Sequence, residues 1–380
     1  MRRREIPILR LPYTEEEMAY ISSSIVDVLK SGYLTMGKKV VRFEQTFADF
    51  TGVKYAVATN SGTSSLEIIL RAIGVEGKTV VVPSNTFMAS PMSVIHAGGR
   101  VIFTDCQREN LQLAPGDLKR KIRADTAAVM LVHIGGIISP TLNEIKEICR
   151  SAGVSLIEDA AHAQGATIDG EKAGTLGVAG SFSFYPTKVM TTAEGGMITT
   201  DDERIYQVAV TLRDHGKPDP EINAHTEIGY NWRFSELHAV LGLQQMMKIA
   251  SILAERRKIA RQYDEKLAGI KGISKLHIPP RVVSSYYKYI VFLEEGFDRD
   301  EVKRELKDKH GISLTGEVYA HPCHSQPAFT KYPQVVANNP SDTFPNTEYV
   351  TRRHICLPLY PGLTEEDIDY VVESLKRVLS

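Results

Sequence analysis

A carboxylate, a lysine and a run of hydroxyls, set in a fixed order along the chain, carry the chemical information in this sequence. An apolar strand ends in Glu158-Asp159-Ala160-Ala161-His162-Ala163. Lys188 follows 29 residues after Asp159, closing Ser181-Phe182-Ser183-Phe184-Tyr185-Pro186-Thr187-Lys188, and Glu194-Gly195-Gly196 comes next. Upstream, Asn60-Ser61-Gly62-Thr63-Ser64-Ser65 joins a strand to a helix, and Pro83-Ser84-Asn85-Thr86-Phe87 follows another strand. Pyridoxal phosphate needs an amine for a Schiff base, an acid to keep its ring nitrogen protonated, and donors for its phosphate, and this order offers all three. At the helix start, hydroxyls, free amides and the helix dipole make a seat for a dianionic phosphate. Phe87 is placed to stack on a flat ring. Singly, each residue has an ordinary reading: a solvated lysine, a turn aspartate, a serine N-cap, a core aromatic. The signal is their ordered combination.

The elements that must position these groups are legible in outline. Thr14-Glu15-Glu16-Glu17 reads as a capping box, followed by Met18, Ile21, Ile25 and Leu29 at helical spacing and by Gly32 as a stop. From Tyr55 onward short apolar strands (55–59, 79–82, 101–104, 127–133, 154–157, 181–184, 196–199) alternate with helical patterns such as 64–72 and 142–152. This alternation predicts an α/β fold with a largely parallel buried sheet, helices on both faces, and reactive groups at strand carboxyl ends and helix starts. Two helices, 235–248 and 252–267, then lead to a strand at 287–292, a charged helix at 299–310 and a capped amphipathic helix from Thr364. The expected division is a large domain over 1–250 and a smaller α/β domain over 251–380.

Composition narrows the class. The chain has 380 residues, 43% hydrophobic and 24% charged, an ordinary globular balance. Lys plus Arg total 45 against 46 for Asp plus Glu, so no basic excess points to a nucleic-acid partner. The start, Met1-Arg2-Arg3-Arg4-Glu5, is basic, but Pro7, Pro12 and Glu15-Glu16-Glu17 interrupt the next stretch of chain, so no export signal is expected. The apolar run 127–132 is far short of a membrane span. Cys106, Cys149, Cys323 and Cys356 stand far apart, as suits free thiols in a cytoplasm. Gly77-Lys78-Thr79 lacks the upstream glycine of a phosphate loop, and no GxG triplet occurs. His321-Pro322-Cys323-His324 holds soft ligands, but without spaced partner pairs it is read as a loop and no metal is assigned.

Taken together, Ser61-Gly62-Thr63, Thr86-Phe87-Met88-Ala89, Glu158-Asp159-Ala160-Ala161-His162, the segment ending in Lys188, Glu194-Gly195-Gly196, Arg213-Asp214-His215-Gly216, Gly229-Tyr230-Asn231-Trp232-Arg233 and Leu357-Pro358-Leu359-Tyr360-Pro361-Gly362 resemble the DegT/DnrJ/EryC1 sugar aminotransferases, and the resemblance covers nearly the whole chain. It implies a fold-type-I pyridoxal-phosphate enzyme with a large three-layer αβα domain and a smaller C-terminal domain. It assigns Lys188 to the Schiff base and to proton transfer, and Asp159 to the pyridinium nitrogen. His162 is assigned to the neighbourhood of the ring's phenolic oxygen, Gly62, Thr63, Ser64 and Ser183 to the phosphate cup, and Phe87 to stacking. Asn231 would reach the phosphate of a neighbouring subunit, which implies a homodimer with shared sites. Glu194, Arg233, Tyr319 and His324 are the substrate-side candidates.

The implied reaction moves an amino group from L-glutamate to a keto sugar on a nucleotide diphosphate, with pyridoxamine 5′-phosphate as the cofactor's amino form. Glu194-Gly195-Gly196 resembles the branch that aminates C4 of 4-keto-6-deoxy sugars. A cyclitol branch aminating scyllo-inosose from glutamine shares that pattern and is the alternative. Lys188 argues against the dehydratase offshoot, which carries His there, and no convincing helix-turn-helix supports a regulatory protein. Val318-Tyr319 replaces the His-Tyr pair of many relatives, and Tyr286-Tyr287 occupies a stretch where relatives often present His.

Overall fold

Short β-branched segments between capped helices assemble into one seven-stranded sheet. The computed structural model describes residues 4–11, 13–219, 222–314 and 316–380. Met1-Arg2-Arg3 and Pro12, part of the stretch read for an export signal, lie outside the described residues. The sheet contains β1 (Tyr55–Thr59), β2 (Thr79–Pro83), β3 (Arg100–Thr104), β4 (Thr126–Val132), β5 (Ser155–Asp159), Ala179–Ser183 and Gly196–Thr200. Their spatial order is β1, Gly196–Thr200, Ala179–Ser183, β5, β4, β2, β3. Only Gly196–Thr200 runs against its neighbours; the other pairings are parallel. Val80, Val81 and Val82 are fully buried, as a strand covered on both faces requires.

That topology gathers the chemistry at one edge. The carboxyl ends of β1, β2, β5 and Ala179–Ser183 meet the amino end of Gly196–Thr200. Gly196 sits opposite both Thr59 and Ser183, so three loops leave from adjacent strand ends. Two glycines permit this closeness. A Cβ on Gly196 would lie 2.3 Å from the Ser61 carbonyl oxygen, and one on Gly62 would lie 3.0 Å from Ser183 Cβ.

Helix α1 (Glu15–Ser31) opens on the expected capping box, in which Thr14 Oγ1 accepts from the Glu17 amide at 3.2 Å and Glu17 Oε2 from the Thr14 amide at 3.0 Å. It ends at Gly32 in the left-handed region. Helix α2 (Lys38–Thr51), not singled out in the sequence, buries Phe43 and Phe47 against Phe182 and Phe184. Helices α3 (Gly62–Ala72) and α4 (Ala89–His96) follow β1 and β2 and pack on each other.

The two helices expected around residue 250 form one, Glu236–Lys266, because no Gly or Pro after Gly242 interrupts the pattern. The residue-250 division therefore falls inside a continuous element. Its first half sends Leu243, Ile249 and Leu253 into the core of the large sheet, and its second half sends Ile259, Ala260 and Tyr263 into a separate core. By length and composition this helix meets the requirement for crossing a membrane, which apolar runs alone did not reveal. In the fold 56% of its apolar window is buried, against α1, α2 and Glu365–Val378. The second core is built on an antiparallel sheet of Ile273–Lys275, Tyr289–Leu293 and His354–Leu357, with helices Arg299–His310 and Glu365–Val378.

Candidate active site

At the sheet edge lies a cavity of about 550 Å³ whose wall includes Gly62, Thr63, Phe87, Asp159, His162, Ser183, Lys188, Glu194 and Tyr319. Nine of the residues singled out in the sequence therefore converge on one space, from segments far apart in the chain.

One end is the start of α3. Ser61 caps the helix, its Oγ accepting from the Ser64 amide at 3.1 Å, which leaves the first-turn amides of Gly62 and Thr63 without intrahelical acceptors. Ser64, expected in the phosphate cup, stands behind Ser61. Its hydroxyl donates to Asn60 Oδ1 at 2.7 Å and is 2.9 Å from Ser61 Oγ, so it locks the cap, and Ser61 rather than Ser64 lines the cavity.

The opposite wall holds Asp159, 6% exposed. Ser90 Oγ, on α4, donates to Asp159 Oδ2 at 2.7 Å and is itself 2.8 Å from Thr86 Oγ1; the Ala161 amide donates to Oδ1 at 3.2 Å. The preceding residue is fixed even more tightly. Glu158, fully buried, meets His133 Nε2 at 2.8 Å and accepts from the amides of Gly174, Leu176 and Gly177 at 2.6–2.9 Å. A buried carboxylate is tolerated only when its oxygens are satisfied. Here satisfying them ties the 174–177 turn to the strand end that presents Asp159.

Between these walls stand Lys188, His162 and three tyrosines. Burial pulls the Lys188 amine down from 10.5 to about 8, against the opposing pull of Asp159, and the nearby Lys288 cation lowers it further. His162 is held well below the usual histidine range by burial, with Lys188, Lys288 and His133 adding to the effect, so its ring is neutral. It stacks on Tyr287 at 4.0 Å and shares a 3.0 Å hydrogen bond, through Nε2, with the Tyr319 hydroxyl. Its Nδ1 is buried without a partner. Lys188 Nζ lies 5.0 Å from the centre of the Tyr287 ring, and Tyr287 donates to or accepts from Thr187 at 3.1 Å. Phe87 is 57% exposed and tilts against Tyr319, ring centres 5.5 Å apart.

Three candidates stay out of this cavity. His324 is turned away: its Nδ1 is 2.6 Å from Ser84 Oγ and its ring stacks on Phe344 at 4.3 Å. Arg233, read as a substrate contact or an inter-subunit ion pair, is paired within the chain to Asp214 Oδ1 at 2.7 Å. Asn231 is bridged to Asp214 through the backbone. Ser90, Tyr287 and Lys288 were missed as site residues. The four-residue Thr86–Ser90 spacing was a signal that the two hydroxyls share a face, but nothing local points Ser90 at Asp159.

The residues fit pyridoxal phosphate. Free first-turn amides and hydroxyls suit a phosphate, a buried carboxylate and a lysine of weakened basicity share the cavity, and the orphaned His162 Nδ1 lacks the polar partner that a ring oxygen would provide. Fold and cavity together define an α/β enzyme built around an amine-binding, phosphate-bearing cofactor. The chain belongs to the DegT/DnrJ/EryC1/StrS aminotransferase family, which it matches over residues 15–376 and whose members are pyridoxal-phosphate-dependent aminotransferases. It is 35% identical over 349 residues to the GDP-perosamine synthase of Caulobacter vibrioides, covering 91% of each chain. Among solved structures, DesV of S. venezuelae matches with a TM-score of 0.89 at 28% identity over 96% of each chain. The pyridoxal-phosphate form of a sugar aminotransferase described as putative, Spr1654 of Streptococcus pneumoniae, matches with a TM-score of 0.88 at 29% identity over 99% of each. The chain is a sugar aminotransferase of this family.

Proposed function

We propose that this chain moves an amino group from L-glutamate to the keto carbon of a sugar carried on a nucleoside diphosphate, 4-keto-6-deoxy hexoses being the leading acceptors. The observation that carries the reading is its 35% identity, over 91% of both chains, to an enzyme named for a GDP-linked product. The Glu194-Gly195-Gly196 pattern supports the 4-keto position.

The free first-turn amides of Gly62 and Thr63 would hold the phosphate of pyridoxal 5′-phosphate, with Ser183 beside them and Phe87 against the ring. When bound, the cofactor supplies an aldehyde that takes up the amine and an electron-poor ring that draws off the charge left on a deprotonated carbon. Lys188 would attach the cofactor, and its amine, weakened by burial, would be the group that holds and moves the proton of the substrate carbon. Asp159, oriented by Ser90 and Ala161, holds a protonated ring nitrogen by a charge-assisted hydrogen bond. Burial keeps Tyr319 a phenol; in the tautomer where that hydroxyl donates to His162 Nε2, the ring proton sits on the unpartnered Nδ1, from which it would donate to an oxygen of the cofactor.

Asn231 is proposed to reach the phosphate of a partner subunit, so the working unit is a homodimer. We place the division into large and small domains within the helix Glu236–Lys266. A cytoplasmic location accords with four buried, unbridged cysteines. The test is a single-turnover screen in which enzyme converted to its amino form by glutamate or glutamine is offered 4-keto nucleotide sugars, 3-keto nucleotide sugars and scyllo-inosose. Return of the aldehyde spectrum with a 4-keto nucleotide sugar is expected. Return with scyllo-inosose alone contradicts the proposed acceptor.

A further inference from the structure

Lys288 stands in the cavity wall with no ion-paired carboxylate among the described residues. Its Nζ lies 5.2 Å from the centre of the Tyr287 ring, the same ring that has Lys188 Nζ at 5.0 Å. A Cβ on Gly316, also in the wall, would come within 3.2 Å of that nitrogen, so the bare backbone there leaves room for the amine. The charge of Glu317, in the same lining, acts on Lys288, but its carboxylate is ion-paired to Lys303. No described carboxylate lies in ion-pair range of Lys288. Among the residues lining the cavity there is no arginine, and Lys188 and Lys288 are the only lysines.

Two amines around one ring repel each other, and Lys288 does depress the basicity of both Lys188 and His162. A desolvated cation without a counter-charge is costly unless an anion arrives to satisfy it. We propose that Lys288 is the group that binds a carboxylate of the amino-acid donor. The inference rests on the amino-transfer reading and deepens it. The two substrates differ chemically at the reacting carbon: an amino acid carries a carboxylate one bond away, whereas the keto carbon of a hexose carries none and lies across the sugar ring from its diphosphate. A cation set beside the reacting lysine therefore matches the donor. With Lys188 committed to the cofactor, Lys288 is the remaining lysine or arginine among the described residues of this chain that line the cavity. Arg233, a substrate-side candidate in the sequence, is not in the lining of this chain's cavity and is paired to Asp214.

The test compares cofactor-loaded wild type, Lys288→Met and Lys288→Arg. Three quantities are measured: the glutamate dependence of the first half-reaction by stopped-flow absorbance, and the calorimetric affinities for glutarate and for guanosine diphosphate. Glutarate has the carboxylates but no amine to react. Lys288→Met is expected to weaken glutarate and glutamate on the order of tenfold to a hundredfold, the range for a hydrogen bond to a charged group. Lys288→Arg should stay within a few-fold of wild type, and guanosine diphosphate should bind equally to all three. Unchanged dicarboxylate binding in Lys288→Met overturns the proposal. So does selective loss of guanosine diphosphate, which would assign the amine to the acceptor. A wild-type enzyme that accepts no amino group from any amino acid would sink the amino-transfer reading instead, while glutarate calorimetry would still decide for or against Lys288.

Discussion

Asp159 and Phe87 face the same cavity under opposite degrees of restraint. Asp159 is buried, takes a hydroxyl and an amide on its two oxygens, and follows a glutamate that is itself held by a histidine and three amides. Phe87 is more than half exposed and leans on Tyr319 alone among the described rings. The contrast separates two tasks. A cofactor stays put through both half-reactions, so its contacts gain from fixed geometry, whereas substrates come and go and need an open side. The wall with Asp159, His162 and Lys188 is the rigid side of the cavity; Phe87, proposed to lie against the cofactor ring, borders its open side, which Tyr319, Glu194 and Lys288 share.

The largest measurable sign of this division is in Lys188. Burial disfavours its cation, so the proton leaves at lower pH than from an ordinary lysine. In apoprotein, amine-specific labelling of Lys188, followed by peptide mass, is expected to rise through about pH 8 rather than 10.5. A midpoint near 10.5 would remove the desolvation argument. Next comes Asp159→Asn, which replaces a charged acceptor. Its affinity for pyridoxal phosphate, read by fluorescence titration, should fall about tenfold to a hundredfold. Ser90→Ala leaves the charge but removes one orienting hydroxyl, and a loss of about 1 kcal/mol, or about fivefold in the same titration, is expected. The smallest effect belongs to Phe87→Ala, where a partly exposed stacking ring contributes about 0.5–1.5 kcal/mol, roughly threefold to tenfold, and mostly below the effect at Asp159. A Phe87 effect exceeding that of Asp159 would reverse the assignment of the two walls.

The rigid wall was the part legible in the sequence, for a physical reason. Asp159, His162, Ser183 and Lys188 lie on consecutive strand ends and their loops, so short-range pattern and strand alternation already place them together. Ser61 was within the recognised segment, yet which hydroxyl caps and which faces the cavity depends on the helix starting at Gly62 rather than Ser64. Beyond Phe87 and Glu194, the open side takes Tyr287, Lys288, Gly316, Glu317 and Tyr319, which reach the cavity only after the long helix carries the chain into its second core and back. Its contributors, Tyr287 and Lys288, stood out in sequence at most as a departure from relatives. Motif similarity fixes the position of His324 and Arg233 along the chain but not the direction of their side chains, which contact Ser84 and Asp214 rather than this chain's cavity. The helix 236–266 was split in two for lack of a tertiary reason to continue it; bridging two cores is that reason.

The central claim, that the cofactor is carried on Lys188, is tested most directly by reducing the loaded enzyme with borohydride and mapping the modified peptide by mass spectrometry. The account predicts the pyridoxyl group on Lys188 and its disappearance in Lys188→Ala. Attachment at Lys288, at any other lysine, or at none would contradict it.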